Sequence, residues 1–306
     1  MNIIHANLAY EDMTPSDFQG ILGGRDAAFD YIWDNHSKKP EGASKLLCDS
    51  AKNWNTKLFT YVSSAGMYQP TGEFPMPETT PVKESAGQHL FEQYAIGIEL
   101  PFVSFRPQYI YGPKSNKNDY IDWYFDRLVR DLPLPIPGDG TQRVSLTNSE
   151  DVASLLASVL NDEEAAVEQR FFNCGTDELL SYDEVAKLCA QAAGVDDEKV
   201  MIEHYDSDKY GKATFPFRMT DFYVAPDMAK EKLGWSGPKH SLSDDLKTWY
   251  YNNYKARGGP SKKMDLMKDW EIVVGSKTSY EVGSIYDKYD PLVIDTSNVK
   301  PLNIEE

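Results

Sequence analysis

Two apolar periods alternate along the chain. Short runs of aromatic and β-branched residues read as strands: Phe29 to Trp33, Leu58 to Val62, Phe102 to Phe105, and residues 170 to 174. The second run closes on Ser63-Ser64-Ala65-Gly66 and the third on Arg106-Pro107. Between and after them the spacing becomes helical. Ile121, Phe125, Leu128 and Val129 share one helical face, as do Val152, Leu155, Leu156 and Val159 behind the capping cluster Asn148, Ser149 and Glu150. Ser181 and Glu184 have capping-box spacing ahead of Val185, Leu188 and Ala192, with Gly194 as the stop. Pro226 opens a short helix that Gly234 ends, and Ser243 is placed to cap a helix carrying Leu246, Trp249 and Tyr250. Strands alternating with helices predict an α/β fold with a mainly parallel sheet.

The pattern weakens after residue 256, at the breaker Arg257-Gly258-Gly259-Pro260-Ser261. Beyond it lie short apolar clusters such as Trp270 to Val274, and no long amphipathic helix is expected. This gives a division into a domain over 1–256 and a C-terminal extension over 257–306 that wraps its own domain or a neighbour. Tyr280, Tyr286 and Tyr289 join Trp270 in a tail more aromatic than disordered tails are, so the extension is expected to mediate association, self-association included.

Composition narrows the function classes. The net charge of −17 opposes binding to nucleic acid or anionic membrane by bulk attraction, so any RNA contact needs a local basic patch. The three cysteines, Cys48, Cys174 and Cys189, are too few and too scattered for a disulfide framework or zinc site, and are expected to be buried thiols of a reducing compartment. No apolar run is long enough for a membrane span, and the first residues carry no secretory signal. The five histidines have no metal-ligand spacing and are read as structural or surface residues; the ligands of any metal stay unassigned.

Two groups of residues have open readings. Asp34, Asn35 and His36 end a strand at what would be the carboxyl edge of the sheet; they either line a ligand site or hydrogen-bond within their loop. Trp123, Tyr124 and Phe125 alternate with Arg127 and Arg130. Either Phe125 faces the core with both arginines in water, or the run offers stacking and charge to single-stranded RNA. Lys255, Arg257, Lys262 and Lys263 form the other basic cluster.

Four segments resemble the extended short-chain dehydrogenases, the NAD-dependent epimerase and dehydratase superfamily: Val62 to Tyr68, Phe105 to Pro113, Ile136 to Gln142 with the later Asp151-Val152-Ala153, and Phe172 to Gly175. Within it the chain is similar to the chloroplast stem-loop binding proteins. That likeness rests on Ser63 to Tyr68, Ala86-Gly87, Ser104 to Tyr109, Trp123 to Asp131, Pro135 to Gly138, Ala186 to Ala190 and His204-Tyr205-Asp206. The resemblance implies an incomplete Rossmann-like, doubly wound parallel sheet of the extended short-chain-dehydrogenase type, with a small interwoven C-terminal subdomain. It also implies a plastid location in the stroma or on the stromal thylakoid face. RNA binding, association with ribosomes and transcription complexes, and a divalent-metal-dependent endoribonuclease activity complete the expectation, with magnesium as the candidate ion.

The chain departs from the superfamily in three places. Gly20-Ile21-Leu22-Gly23-Gly24 lacks the spacing of a dinucleotide-binding turn, and the first βαβ units are missing or degenerate. The Tyr-x-x-x-Lys pair, in which the ammonium lowers the phenol pKa for proton transfer, should fall near Glu84 or Ser85 and Gln88, where there is neither residue. Tyr94 has no Lys four residues on. Where an arginine should hold a nucleotide diphosphate stands Val144, with Arg143 one position early. Ser64 is then a structural hydroxyl or a catalytic remnant. NAD(P) binding is not expected. Arg127, Arg130, Lys255 and Arg257 are the candidate RNA contacts. Three functions stay open: an RNA-associated plastid protein with a possible metal-dependent nuclease, a non-catalytic subunit of a larger plastid complex, and a sugar-nucleotide epimerase or reductase.

Overall fold

A computed structural model describes residues 13–21, 28–115 and 117–275. The chain divides into two units, Met1–Pro113 with Ser145–Glu178 and Phe222–Ser241, and Lys114–Val144 with Leu179–Asp221 and Leu242–Glu306. The first unit begins with α1 (Pro15–Ile21), β1 (Tyr31–Asp34), α2 (Gly42–Asn53), β2 (Leu58–Val62), α3 (Gly87–Gly97), β3 (Phe102–Pro107) and β4 (Ile110–Tyr111). The second contributes α4 (Asp119–Leu128), β5 (Leu134–Pro137) and β6 (Arg143–Val144). The first resumes with β7 (Thr147–Asn148), α5 (Ser149–Ala157), α6 (Glu163–Gln169) and β8 (Phe171–Cys174). The second adds β9 (Leu180–Ser181), α7 (Tyr182–Ala193), β10 (Ile202–Tyr205) and α8 (Ser207–Tyr210). Then α9 (Asp227–Leu233) belongs to the first unit, and α10 (Leu242–Asp245), α11 (Tyr251–Ala256) and α12 (Met267–Gly275) to the second.

In the first unit the four long strands pair in parallel in the order β1-β2-β3-β8. Every residue of β3 is buried, as are the first four of β2, which is why these strands read as continuous apolar runs. Their side chains still alternate between faces. Phe59, Tyr61 and Phe102 pack with Cys48 and Ala51 of α2 and Phe91 and Ala95 of α3. Leu58, Val103, Phe105 and Phe172 pack with Val152 and Leu155 of α5, Ala166 of α6 and Ala229 and Leu233 of α9. Helices therefore cover both faces, the doubly wound arrangement that the family resemblance implied.

The punctuation behaves as its chemistry requires. Asn148 caps α5 by accepting the Glu150 amide, Ser181 and Glu184 form the reciprocal capping box on α7, and Gly194 and Gly234 end α7 and α9 in the left-handed region. Ser243 differs from expectation: α10 already begins at Leu242, so Ser243 lies within its first turn. No helix among the described residues is long and apolar enough to cross a membrane.

The second unit holds the parallel pair β5 and β10 and the helices α4 and α7. The extension expected beyond 256 is here continuous with this unit. Leu266 and Trp270 form a cluster with Leu132, and Asp269, Ile272 and Val273 of α12 are also buried. Trp270, Ile272 and Val273 thus lie on the inner face of a short helix of nine residues, in a segment where no long amphipathic helix was expected. Tyr280, Tyr286 and Tyr289 lie outside the described residues.

Candidate functional site

The carboxyl ends of β1 and β2 carry the residues that the dehydrogenase reading singled out. Asp34 is buried at the end of β1, and its Oδ1 accepts the amides of His36 at 2.9 Å and Ser37 at 3.0 Å. The loop-hydrogen-bonding reading of this carboxylate therefore holds for one oxygen. Its Oδ2, and the buried Oγ of Ser63 at the end of β2, have no hydrogen-bond partner among the described residues. Asn35 and His36 are exposed. Ser64 caps the short 3-10 turn Ala65–Met67: its Oγ accepts the Gly66 amide at 3.0 Å. Its hydroxyl has a structural partner, as the first of its two readings anticipated.

Where the Tyr and Lys of a proton-transfer pair would stand, Glu84 is exposed before α3 and Gln88 is half-buried in its first turn. A Cβ on Gly87 would lie 2.5 Å from the Lys38 carbonyl oxygen, so the loop after β1 packs directly against the start of α3. Other tyrosines do not substitute. Tyr94 meets a lysine from α2, Lys45, but its hydroxyl donates to Asp49, and burial together with that carboxylate pushes the phenol pKa up. Tyr68 donates to Asn173 Oδ1 at 2.7 Å and is pushed up to about 12, mainly by burial.

Tyr68 belongs to a buried polar network that joins β3, β8 and the segment after β2 to α3. Arg106 grips Glu92 through Nε at 3.2 Å and Nη2 at 2.8 Å, and Ser104 Oγ donates to the same carboxylate at 2.6 Å. Arg106 Nη1 reaches Tyr68 at 3.3 Å and the Glu78 carbonyl at 3.2 Å, while its guanidinium lies 4.2 Å from the Phe171 ring centroid. Burial disfavours the Arg106 charge, but Glu92 outweighs it and holds the pKa above the usual arginine value. Glu78 accepts the Asn173 amide at 2.9 Å, and burial raises its carboxyl pKa. Tyr68 and Arg106 hold their protons firmly, and the groups of the network face one another, which suits a scaffold.

The arginines expected to face RNA are committed elsewhere. Arg127 is 1% exposed. Its Nε and Nη2 hold Asp269 Oδ2 at 2.6 Å, Nη1 donates to the Trp123 carbonyl at 2.7 Å, and Nη2 also reaches Thr214 Oγ1 at 3.0 Å. The guanidinium lies 3.8 Å from the Trp123 ring centroid, so the ring expected to stack on a base is covered by its own chain. Arg130 donates to the carbonyls of Asp126, Gly259, Pro260 and Lys262, closing the breaker that follows α11. Arg257 makes a two-pronged pair with Asp122 at 2.7 and 2.9 Å. Of the four candidates, Lys255 is an exposed cation, lying 4.6 Å from the Tyr251 ring centroid. The reading that put Arg127 and Arg130 in water is corrected: segments more than a hundred residues downstream cover that side of α4.

A cationic group that the sequence reading passed over lies elsewhere in the second unit. Lys117 is exposed, with Nζ 3.2 Å from the Tyr120 hydroxyl and 4.5 Å from the ring centroid. Tyr120, half-buried at the start of α4, stacks on the buried ring of Phe217 at 6.0 Å and 11°. On either side of Phe217, the Pro216 carbonyl accepts Lys212 Nζ at 3.1 Å and Arg218 is half-exposed. Partial desolvation, then repulsion from Lys117 and Arg218, holds the Lys212 pKa below the usual lysine value. The available sequence signal was an absence: no Asp or Glu occurs between Glu99 and Asp119, or between Asp208 and Asp221, in a chain otherwise rich in both.

Two of the five histidines pair closely with carboxylates, His204 with Asp183 at 3.0 Å and His240 with Asp151 at 3.1 Å. Gly140, at φ +75°, brings backbone so close to the first pair that a Cβ there would lie 2.0 Å from Asp183 Oδ1 and 2.5 Å from His204 Nε2. Among the described residues no cluster of three or more His, Cys, Asp or Glu is arranged to hold a metal ion. The cysteines are buried and free.

Comparison with known proteins gives this scaffold its family. Residues 23–175 match the family model of the NAD dependent epimerase/dehydratase family. The chain belongs to that family. This epimerase/dehydratase-family chain is also similar to the "Chloroplast stem-loop binding protein of 41 kDa b, chloroplastic" of Arabidopsis thaliana, 31% identical over 255 residues, which are 81% of the chain and 65% of that relative. The chain thus spans just under two thirds of that relative's length. Among solved structures it is similar in fold to an epimerase from Methanothermobacter thermautotrophicus, with a TM-score of 0.58 and 21% identity over 74% of this chain and 73% of the other. A UDP-glucuronic acid 4-epimerase from Bacillus cereus gives a TM-score of 0.56 and 19% identity over 70% and 66%.

The family's name implies a nicotinamide cofactor, and the residues present do not fit one used for hydride transfer. The Ser64 hydroxyl caps a turn, the Tyr68 and Tyr94 phenols are held protonated, and Glu84 and Gln88 occupy the positions of the proton-transfer pair.

Proposed function

We propose that this protein is an RNA-associated plastid protein on a dehydrogenase scaffold that lacks the proton-transfer Tyr and Lys. The observation that carries the reading is 31% identity, over 81% of the chain, to a relative named for stem-loop binding and for the chloroplast. The loss of a working Ser, Tyr and Lys set supports it, because a retained fold without its family's chemistry calls for another use. In this reading any RNA cleavage depends on a divalent ion such as magnesium, since among the described residues no activated nucleophile or histidine pair is on hand to replace it. The test is the purified full chain with a stem-loop RNA, with magnesium and with magnesium plus chelator. Binding at low salt is expected, and cleavage, where it occurs, stops with the chelator. Absence of binding by the folded protein overturns the reading.

A second reading is a non-catalytic subunit docked in a larger plastid complex, and the net charge of −17 favours it, because acidic proteins bind polyanions poorly. Migration of the native protein at high mass, with no RNA affinity after isolation, is its signature. The unpartnered Asp34 Oδ2 and Ser63 Oγ favour, among epimerase-type alternatives, retained binding of a small hydroxyl-bearing ligand without redox chemistry.

A further inference from the structure

If RNA is bound, the net charge of −17 requires a local surface to hold it. Arg127, Arg130 and Arg257 are unsuitable, because each guanidinium is engaged by carboxylates or carbonyls of its own unit. The group around Tyr120 offers two exposed ammonium groups, those of Lys117 and Lys212. Two acid-free stretches of sequence, ending at Lys117 and Asn118 on one side and running from Lys209 to Thr220 on the other, meet through the Tyr120–Phe217 stack. Lys117 lies over one end of that stack, and Lys212 is tied to Pro216 beside it. Phe217 is buried, so it fixes the orientation of Tyr120, whose ring is half-exposed. Lys212 donates one hydrogen bond to a carbonyl, which leaves further N–H groups on its ammonium.

Cations brought together repel one another, and Lys212 registers that repulsion from Lys117 and Arg218. An anion placed among them relieves it. A rigidly backed aromatic ring with Lys117 at it, and Lys212 and Arg218 flanking its stacking partner Phe217, has the two parts that single-stranded RNA uses, a face for a base and charge for flanking phosphates. We propose that Lys117, Tyr120, Lys212 and Arg218 form the RNA-contacting surface of the second unit: the exposed Lys117 side chain turns from the Tyr120 ring to a phosphate, Tyr120 stacks an unpaired base, and Lys212 and Arg218 hold neighbouring phosphates. This placement rests on the RNA-association reading above.

The test measures fluorescence anisotropy of a labelled stem-loop RNA with an unpaired loop, titrated with the full chain at several salt concentrations. The K117E/K212E variant is expected to lose about tenfold or more in affinity, and its log K against log salt slope to fall from about −2 to about −0.7, as contacts drop from three phosphates to one. Tyr120→Leu is expected to cost about fivefold or more at unchanged salt slope, because stacking and not charge is removed. A blunt duplex of the same length binds more weakly than the stem-loop, since it offers no unpaired base. K38E/K83E, which alters exposed cations of the first unit, leaves affinity within about twofold. Circular dichroism melts verify that each variant is folded. If K38E/K83E weakens binding while K117E/K212E does not, the placement is wrong and the RNA reading stands. If a free nucleoside diphosphate binds as tightly as the RNA, the surface is a nucleotide site and the proposal falls. If the unaltered chain binds no RNA at low salt, the RNA reading itself fails.

Discussion

Glu92 is fully buried and holds two of the three Arg106 nitrogens, with Ser104 on the same carboxylate. A pair of this kind adds little net stability over an apolar substitute, but losing one partner strands the other charge in a dry environment. Glu92→Gln, which keeps size and shape, is therefore expected to destabilise the fold by about 3–5 kcal/mol in urea titration. A loss under about 1 kcal/mol, the range of exposed ion pairs, contradicts this account of the network. Glu78 gives a pH-dependent counterpart. Burial raises its folded pKa above the unfolded value, so its contribution is most favourable when it is protonated and is lost as pH rises through the folded pKa. Glu78→Gln keeps an acceptor for the Asn173 amide and removes the charge. It is expected to raise the melting temperature at neutral pH, with the gain shrinking as pH falls below the carboxyl range. A gain that grows toward acid pH has the wrong sign and rules out burial as the cause.

At the scale of elements, α4 shows how a charged helix becomes a core helix. Every residue from Ile121 to Leu128 is buried, two aspartates and an arginine included. Asp122 is met by Arg257 and Tyr250, Asp126 by Tyr254 and Lys262, and Arg127 by Asp269 and Thr214. The segment from α10 to α12 thus covers α4 with both aromatic area and matched charge. Replacing Asp269 with Ala leaves Arg127 buried and unpaired, and is expected to cost about 3–5 kcal/mol, while a double change of Arg127→Met and Asp269→Leu recovers most of it. The measurement is a thermodynamic cycle by denaturant unfolding, and equal losses in the single and double variants contradict the pairing. Ending the chain at residue 262 removes Leu266, Asp269, Trp270, Ile272 and Val273 from the unit's interior. Cooperative melting of the second unit is then expected to weaken, whereas a detachable docking tail leaves it unchanged.

For the whole molecule, the retained fold and the lost chemistry have to be tested apart. The parallel sheet with helices on both faces is the family's architecture, while Ser64 caps a turn and Glu84 and Gln88 stand where the Tyr and Lys of the proton-transfer pair would be. Calorimetric titration with NAD or NADP is expected to give a dissociation constant weaker than about 10 μM, or less than about 7 kcal/mol of binding. Tighter binding of either dinucleotide reopens the epimerase reading. The same global view explains the salt behaviour expected with RNA. A molecule of net charge −17 repels the polyanion outside its contact surface, so binding is confined to low and moderate salt.

The sequence by itself determined the α/β class, the four main strands in their order, and the capped helices, because strand burial, helical spacing and caps are local signals within a few residues. It also determined that the proton-transfer pair is missing, since that needs only residue identities at fixed spacing from Ser64. It was silent on α2, whose preceding residue Glu41 makes no side-chain cap, and on α12, whose apolar run is too short to declare a helix period. Only the tertiary structure decided which charges meet water. Arg127 and Lys117 lie ten positions apart on and beside the same helix, and one is sealed under Asp269 while the other is exposed. That outcome depends on a segment more than a hundred residues away, and on the cost of burying a guanidinium, which is met only where a carboxylate and carbonyls close around it.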